Sequence, residues 1–79
     1  MTKLMTISDL SKKLNLTNLD SKKPMNYVLR YWEKEFKQIK PKIIRNRRYY
    51  NNQQVELIEL IHFLLKIKGL TLKGVKKIL

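Results

Sequence analysis

The sequence predicts a small, mainly α-helical domain of four helices and one two-stranded β-hairpin. Three observations predict it. The 79 residues contain only two Gly and two Pro, so the breaks between elements are easy to read. Apolar residues recur at helical spacing in four separate stretches, and a fifth stretch places β-branched and aromatic residues around a two-residue turn. A chain of this length is at most one domain, and it buries only about 60% of its unfolded surface on folding.

Each element has its own signal. Thr6 followed by Asp9 resembles a capping box, and Ile7, Leu10 and Leu14 give a first helix over about 6–15. Asn15 to Lys23 is polar and reads as a loop. Pro24 suits the first turn of a second helix running to about 37. Met25, Val28, Leu29, Trp32 and Phe36 fall in an arc about 100° wide, the width of a core-facing stripe. Opposite them lie Asn26, Tyr27, Arg30, Lys34 and Lys37, with Tyr31 at the edge.

Pro41 blocks further helix, and the hairpin follows over about 42–50, with Arg45-Asn46 as its turn. Asn46 tolerates the positive φ such a turn needs; Arg45 is a less natural occupant. Asn51 with Gln54 caps a third helix over 52–68, which Gly69 ends. Its apolar residues, Leu57, Ile58, Leu60, Ile61, Leu64, Leu65 and Ile67, cover about 180°, wider than one packing surface requires. Thr71 starts a fourth helix over 71–79, with Leu72, Val75, Ile78 and Leu79 inward and Lys73, Lys76 and Lys77 outward.

Charge is the first functional clue. Eighteen Lys and Arg against six Asp and Glu give a formal charge of +12 and a pI near 10.2, which points to a polyanionic partner, nucleic acid ahead of anionic lipid. The absence of Cys removes disulfides, thiolate metal sites and Cys nucleophiles. No apolar run approaches the roughly 20 residues of a membrane span, and a membrane-surface role would need an unburied apolar stripe that neighbouring elements here cover.

Catalysis has little to work with. His62 falls on the polar side of the third helix with no triad or metal partner at a useful spacing, and it reads as a surface residue. Glu33 and Glu35 each have a Lys or Arg within four residues, and solvated ion pairing is the reading for them and for the pair Glu56/Glu59. The expectation is a non-enzymatic protein with no cofactor and no metal.

The cations are more informative. Between Glu35 and Glu56 there is no acidic residue, while Lys37, Lys40, Lys42, Arg45, Arg47 and Arg48 all fall there. Lys outnumbers Arg 14 to 4, yet three Arg lie in the hairpin and the fourth, Arg30, on the exposed face of the second helix. Arg forks onto phosphate and guanine edges in a way Lys cannot. Tyr27, Tyr31 and Tyr49 are interleaved as hydroxyl donors for phosphates, and Tyr50 is assigned to the core.

Helix, loop, helix, basic hairpin and two more helices make a winged helix-turn-helix plan. Thr6-Ile7-Ser8-Asp9-Leu10, Val28-Leu29-Arg30-Tyr31-Trp32-Glu33-Lys34-Glu35-Phe36, Arg47-Arg48-Tyr49-Tyr50 and Gly69-Leu70-Thr71-Leu72-Lys73-Gly74-Val75 resemble the DNA-binding domain of MerR-family transcription regulators. Gln38-Ile39-Lys40-Pro41 resembles an alphaproteobacterial branch. The resemblance implies double-stranded promoter or operator DNA as partner, the second helix in the major groove and the wing on the backbone. It also implies a bacterial, cytoplasmic, nucleoid-associated protein.

Residue by residue, Arg30 and Tyr31 match the family's recognition helix, and Arg48 matches its phosphate-gripping wing Arg. Trp32, Phe36 and Tyr50 match core positions. With the facial reading, the candidate DNA contacts are Asn26, Tyr27, Arg30, Tyr31, Lys34, Arg45, Arg47, Arg48 and Tyr49. The chain departs from the family in a segment between the first two helices that is about seven or eight residues longer than usual, and in a wing turn without Gly. Family members form homodimers through a long helix that would follow Leu79, so the expectation is a head without its dimerisation helix. Two other readings fit the same sequence: an excisionase-like architectural protein that bends DNA, and a protein-interaction adaptor using the apolar third helix.

Overall fold

The computed structural model describes residues 4–79. In chain order the elements are β1 (Met5–Thr6), α1 (Ile7–Lys13), α2 (Asn26–Glu35), β2 (Lys42–Ile44), β3 (Arg47–Tyr50), α3 (Asn52–His62), a π-helical continuation of α3 (Phe63–Ile67), and α4 (Leu72–Ile78). This is the mainly α winged helix-turn-helix that the sequence predicts, with one correction. The sheet has three strands, not two, in the order β1-β3-β2.

The added strand pairs Met5 with Tyr50 and Thr6 with Tyr49, antiparallel. Two residues are too few to show the alternation that marks a strand. Thr6 also caps α1, its side-chain oxygen accepting from the Asp9 N–H at 3.1 Å, so one residue ends the sheet and starts the helix. The wing turn puts both Arg45 (φ 50°) and Asn46 (φ 64°) in the left-handed region, the pattern of a type I′ turn. Its register sets Ile44 against Arg47.

The helix-turn-helix connection is longer than two helices need, and it is ordered. Asn15, at φ 59°, turns the chain out of α1. Leu16 returns to the core, and the Met25 N–H donates to the Leu16 carbonyl at 2.7 Å. Pro24 therefore does not open α2; it pairs with Thr17 across a short bridge, and the helix begins at Asn26.

The third helix also ends differently from its expected uniform run to 68. The Lys68 N–H bonds the Phe63 carbonyl at 3.0 Å, five residues back, and the Leu70 N–H reaches the Leu64 carbonyl at 2.9 Å. Gly69, at φ 70°, closes this wider turn.

The core gathers one side of every helix. Leu10 from α1, Leu29, Trp32 and Phe36 from α2 and its end, Tyr50 from β3, Val55, Ile58 and Ile61 from α3, and Val75 from α4 are buried, joined by Leu14, Leu16 and Ile39 from connections. Leu60 and Ile67, expected within the apolar arc of the third helix, are exposed. His62 corrects the surface assignment: it is half-buried, with its ring tilted against Trp32 at 6.2 Å between centroids. Gln54 fastens the α2–β2 connection, accepting from the Lys40 N–H and donating to the Gln38 carbonyl.

Trp32 joins α2 to α3, so Trp32→Ala is expected to lower stability by about 3–5 kcal/mol, read as a large fall in melting temperature. An unchanged melting temperature would show that the indole is not structural. The His62 pKa is lowered from 6.5, first by burial and then by Lys66. The unfolded chain therefore takes up this proton first as pH falls, and the stability contributed by neutral His62 is full above about pH 6.5 and declines below it. Thermal melts between about pH 5 and 7.5 should show that decline in the parent and a smaller one in His62→Gln; equal slopes would contradict it.

Candidate nucleic-acid interface

What α2 buries decides what it shows. With Leu29, Trp32 and Phe36 inward, Tyr27, Arg30, Tyr31 and Lys34 stand at i, i+3, i+4 and i+7 on the opposite side, all exposed. Tyr31, placed at the edge of this face by the sequence, is half-exposed at 50% and belongs to the stripe.

Asn26 stands apart from that stripe. Its Oδ1 accepts from the Ser11 hydroxyl at 2.9 Å and its Nδ2 donates to Ser8 Oγ at 3.1 Å, so the half-buried amide ties the start of α2 to α1. Ser11 is fully buried and satisfied by this bond. The serines carried no signal in the sequence, since nothing in their spacing marks a partner in the next helix.

The hairpin divides its candidates in the same way. Arg45 and Arg47 are exposed, and Tyr49 is half-buried between Thr6 and Lys42 of the neighbouring strands. Arg48 points back into the fold: its Nε donates to Glu33 Oε1 of α2 at 2.8 Å. That bond to Glu33, opposed by partial burial, holds its pKa above the ordinary value.

Beneath the pair, Tyr50 is fully buried, and its hydroxyl has no hydrogen-bond partner among the described residues. Burial, then the nearby Glu33 charge, pushes its pKa up to about 12, so it stays neutral. The other ion pairs also join distant elements, Glu35 with Lys76 at 3.2 Å and Glu59 with Lys13 at 3.5 Å. Glu33, Glu35 and Glu59 thus pair across the tertiary structure and not within their own helices.

These choices leave a concentrated basic surface. A cleft of about 280 Å³ is lined by Thr6, Ile7 and Ser8 at the start of α1, Arg30 of α2, and Asn46, Arg47 and Arg48 of the wing. Among the described residues no carboxylate lies within ion-pair distance of Arg30, Lys34, Arg45 or Arg47. Among the described residues, a second cleft is lined by Leu4, Met5, Asp9 and Asn52, none of them a cation. No cluster of three or more metal-ligating side chains occurs among the described residues, and no helix there is long and apolar enough to cross a membrane.

The family model described as MerR HTH family regulatory protein matches residues 5–79. No curated protein and no solved structure matches the chain.

The Glu33–Arg48 bond makes a measurable statement about the wing. A double-mutant cycle with Glu33→Gln and Arg48→Ala is expected to give a coupling energy of about 1 kcal/mol for this partly exposed pair. A coupling indistinguishable from zero would mean that the wing is held against α2 by the sheet and core alone.

Proposed function

Because the chain belongs to the MerR family of helix-turn-helix regulatory proteins and is a DNA-binding regulator domain, we propose that it reads double-stranded DNA with α2 in the major groove and its wing along the adjacent backbone. The observation that carries this reading is the shared cleft. Arg30 from α2 and Arg47 and Arg48 from the wing line one basic recess, so a duplex seated on α2 meets the wing without any rearrangement.

Within that reading the candidate residues take different parts. Arg30 projects from the middle of the exposed stripe, where a guanidinium forks onto the O6 and N7 of guanine. Tyr27, Tyr31 and Tyr49 donate hydroxyl hydrogen bonds to phosphates, and Lys34, Arg45 and Arg47 neutralise them. Asn26 sets the pose of α2 through Ser8 and Ser11. Arg48 offers the backbone the guanidinium nitrogens that Glu33 does not engage.

A homodimer on a palindromic site fits the size of the domain. Half-sites one turn apart are separated by about 34–36 Å, and the domain measures 33 × 32 × 21 Å, so two copies can lie side by side on successive grooves.

Selection of bound sites from random duplexes, followed by titration of variants, tests the reading. Arg30→Ala is expected to lose about 1–3 kcal/mol on the selected site and relax one base position, while Arg47→Ala weakens all duplexes alike and lowers the salt slope by about one unit. Equal losses on selected and random DNA for Arg30→Ala would remove its base-reading part. A selected consensus without two-fold symmetry would remove the dimer.

A further inference from the structure

Residues 17–24 form a small closed hairpin inserted between the two helices of the helix-turn-helix. Thr17 bridges Pro24, the Asn18 N–H donates to the Lys23 carbonyl at 2.8 Å, and the Lys22 N–H donates to the Asn18 carbonyl at 2.9 Å. Inside the turn, Asn18 Oδ1 accepts from the N–H groups of Asp20 and Ser21, and Lys22 takes a φ of 60°. The turn is ordered by its own hydrogen bonds.

It is ordered without being buried. Residues 18–23 are all exposed, so the hairpin adds nothing to the core. Its base is fixed, since Leu16 is buried and its carbonyl holds the Met25 N–H at 2.7 Å, one residue before α2 begins. The Tyr27 hydroxyl donates to Met25 Sδ at 3.3 Å, which sets that base beside the first aromatic of the exposed α2 stripe. At about 3.3 Å per residue the tip of the hairpin stands roughly 10 Å from this base.

We propose that this hairpin is a second DNA-contacting arm, which places Lys22 and Lys23 on backbone phosphates beyond the N-terminal end of α2. The α2 surface is then bordered by the wing at Arg30 and by the arm at Tyr27. Among the described residues neither lysine has an ion-pair partner, and Asp20 is the one acidic side chain on the arm. Fixing the backbone before DNA arrives removes the ordering cost that a flexible loop would meet on binding. The inference rests on the DNA-binding reading above and assigns a contact to the connection between α1 and α2.

The test uses the whole chain and its selected duplex across a range of salt. Each phosphate contact contributes about 0.9 to the slope of log K against log salt, so Lys22→Gln with Lys23→Gln is expected to lower the slope by between about one and two units. Lys73→Gln with Lys77→Gln on α4 removes the same charge away from the arm and should leave the slope near that of the parent. Hydroxyl-radical footprinting should show protection at the flank of the site that shortens only in the Lys22/Lys23 variant.

An unchanged slope and footprint in that variant, or equal effects from both pairs, would overturn the arm. If the parent chain itself showed no salt-sensitive binding to duplex DNA, the DNA-binding reading would fail first. Circular dichroism of the variants separates a lost contact from a lost fold.

Discussion

The rotational setting of α2 is the constraint on which the rest of the molecule depends. A ten-residue helix has one face to bury, and the burial of Leu29 and Trp32, continued by Phe36, fixes which face that is. Once the apolar residues are inward, the spacing of the chain leaves Tyr27, Arg30, Tyr31 and Lys34 no choice but to share the outside. Trp32 ties this setting to α3 through His62, and Asn26 ties it to α1 through two serines. The helix is held at its start by hydrogen bonds and along its length by packing.

The treatment of charge follows the same logic. A domain with three times as many Lys and Arg as Asp and Glu must place like charges near one another, and self-repulsion opposes the compact state. Three of the six carboxylates join elements that are distant in sequence: Glu33 to the wing, Glu35 to α4 and Glu59 to the end of α1. None of these pairs neutralises Arg30, Lys34, Arg45 or Arg47. The fold therefore uses its few negative charges as ties between elements and leaves the α2 and wing surface positive. Under the proposed reading, that uncompensated surface is the source of affinity for a ligand carrying about one negative charge per 1.7 Å of its axis.

Much of this was legible in the sequence. The apolar stripe of α2 has a strict period, the Thr6, Asn51 and Thr71 caps are local, and the Arg45-Asn46 turn lies between two strands of recognisable composition. The caps accept from residues three positions on, so both partners sit in one window of sequence. What escaped was non-local or too short. β1 is two residues long and pairs with the far end of the wing. Arg48 looked like a free cation because Glu33 is not its sequence neighbour. His62 looked polar on its own helix, yet that side of α3 meets the Trp32 ring of another. The π turn at Phe63 shifts the end of α3 in a way no period-3.6 reading anticipates, and Leu60 and Ile67, within the apolar arc, are exposed.

The connection between α1 and α2 shows why a long excursion need not disturb the helices it joins. An insertion between two packed helices threatens their relative position if its ends are free to move apart. Here the ends are joined: Leu16 is anchored in the core, its N–H bonded to the Ser11 carbonyl, and its own carbonyl receives the N–H of Met25. To the two helices the connection therefore behaves as a short one, running from Leu16 directly to Met25. Everything from Thr17 to Pro24 closes on itself, so its length adds loop-closure cost that grows only slowly with chain length. The Asn18 side chain and the left-handed Lys22 then convert that length into a turn of defined shape. A compact, self-satisfied excursion of this kind can be gained without altering the packing of α1 on α2, which makes it a place where new surface contacts arise independently of the core.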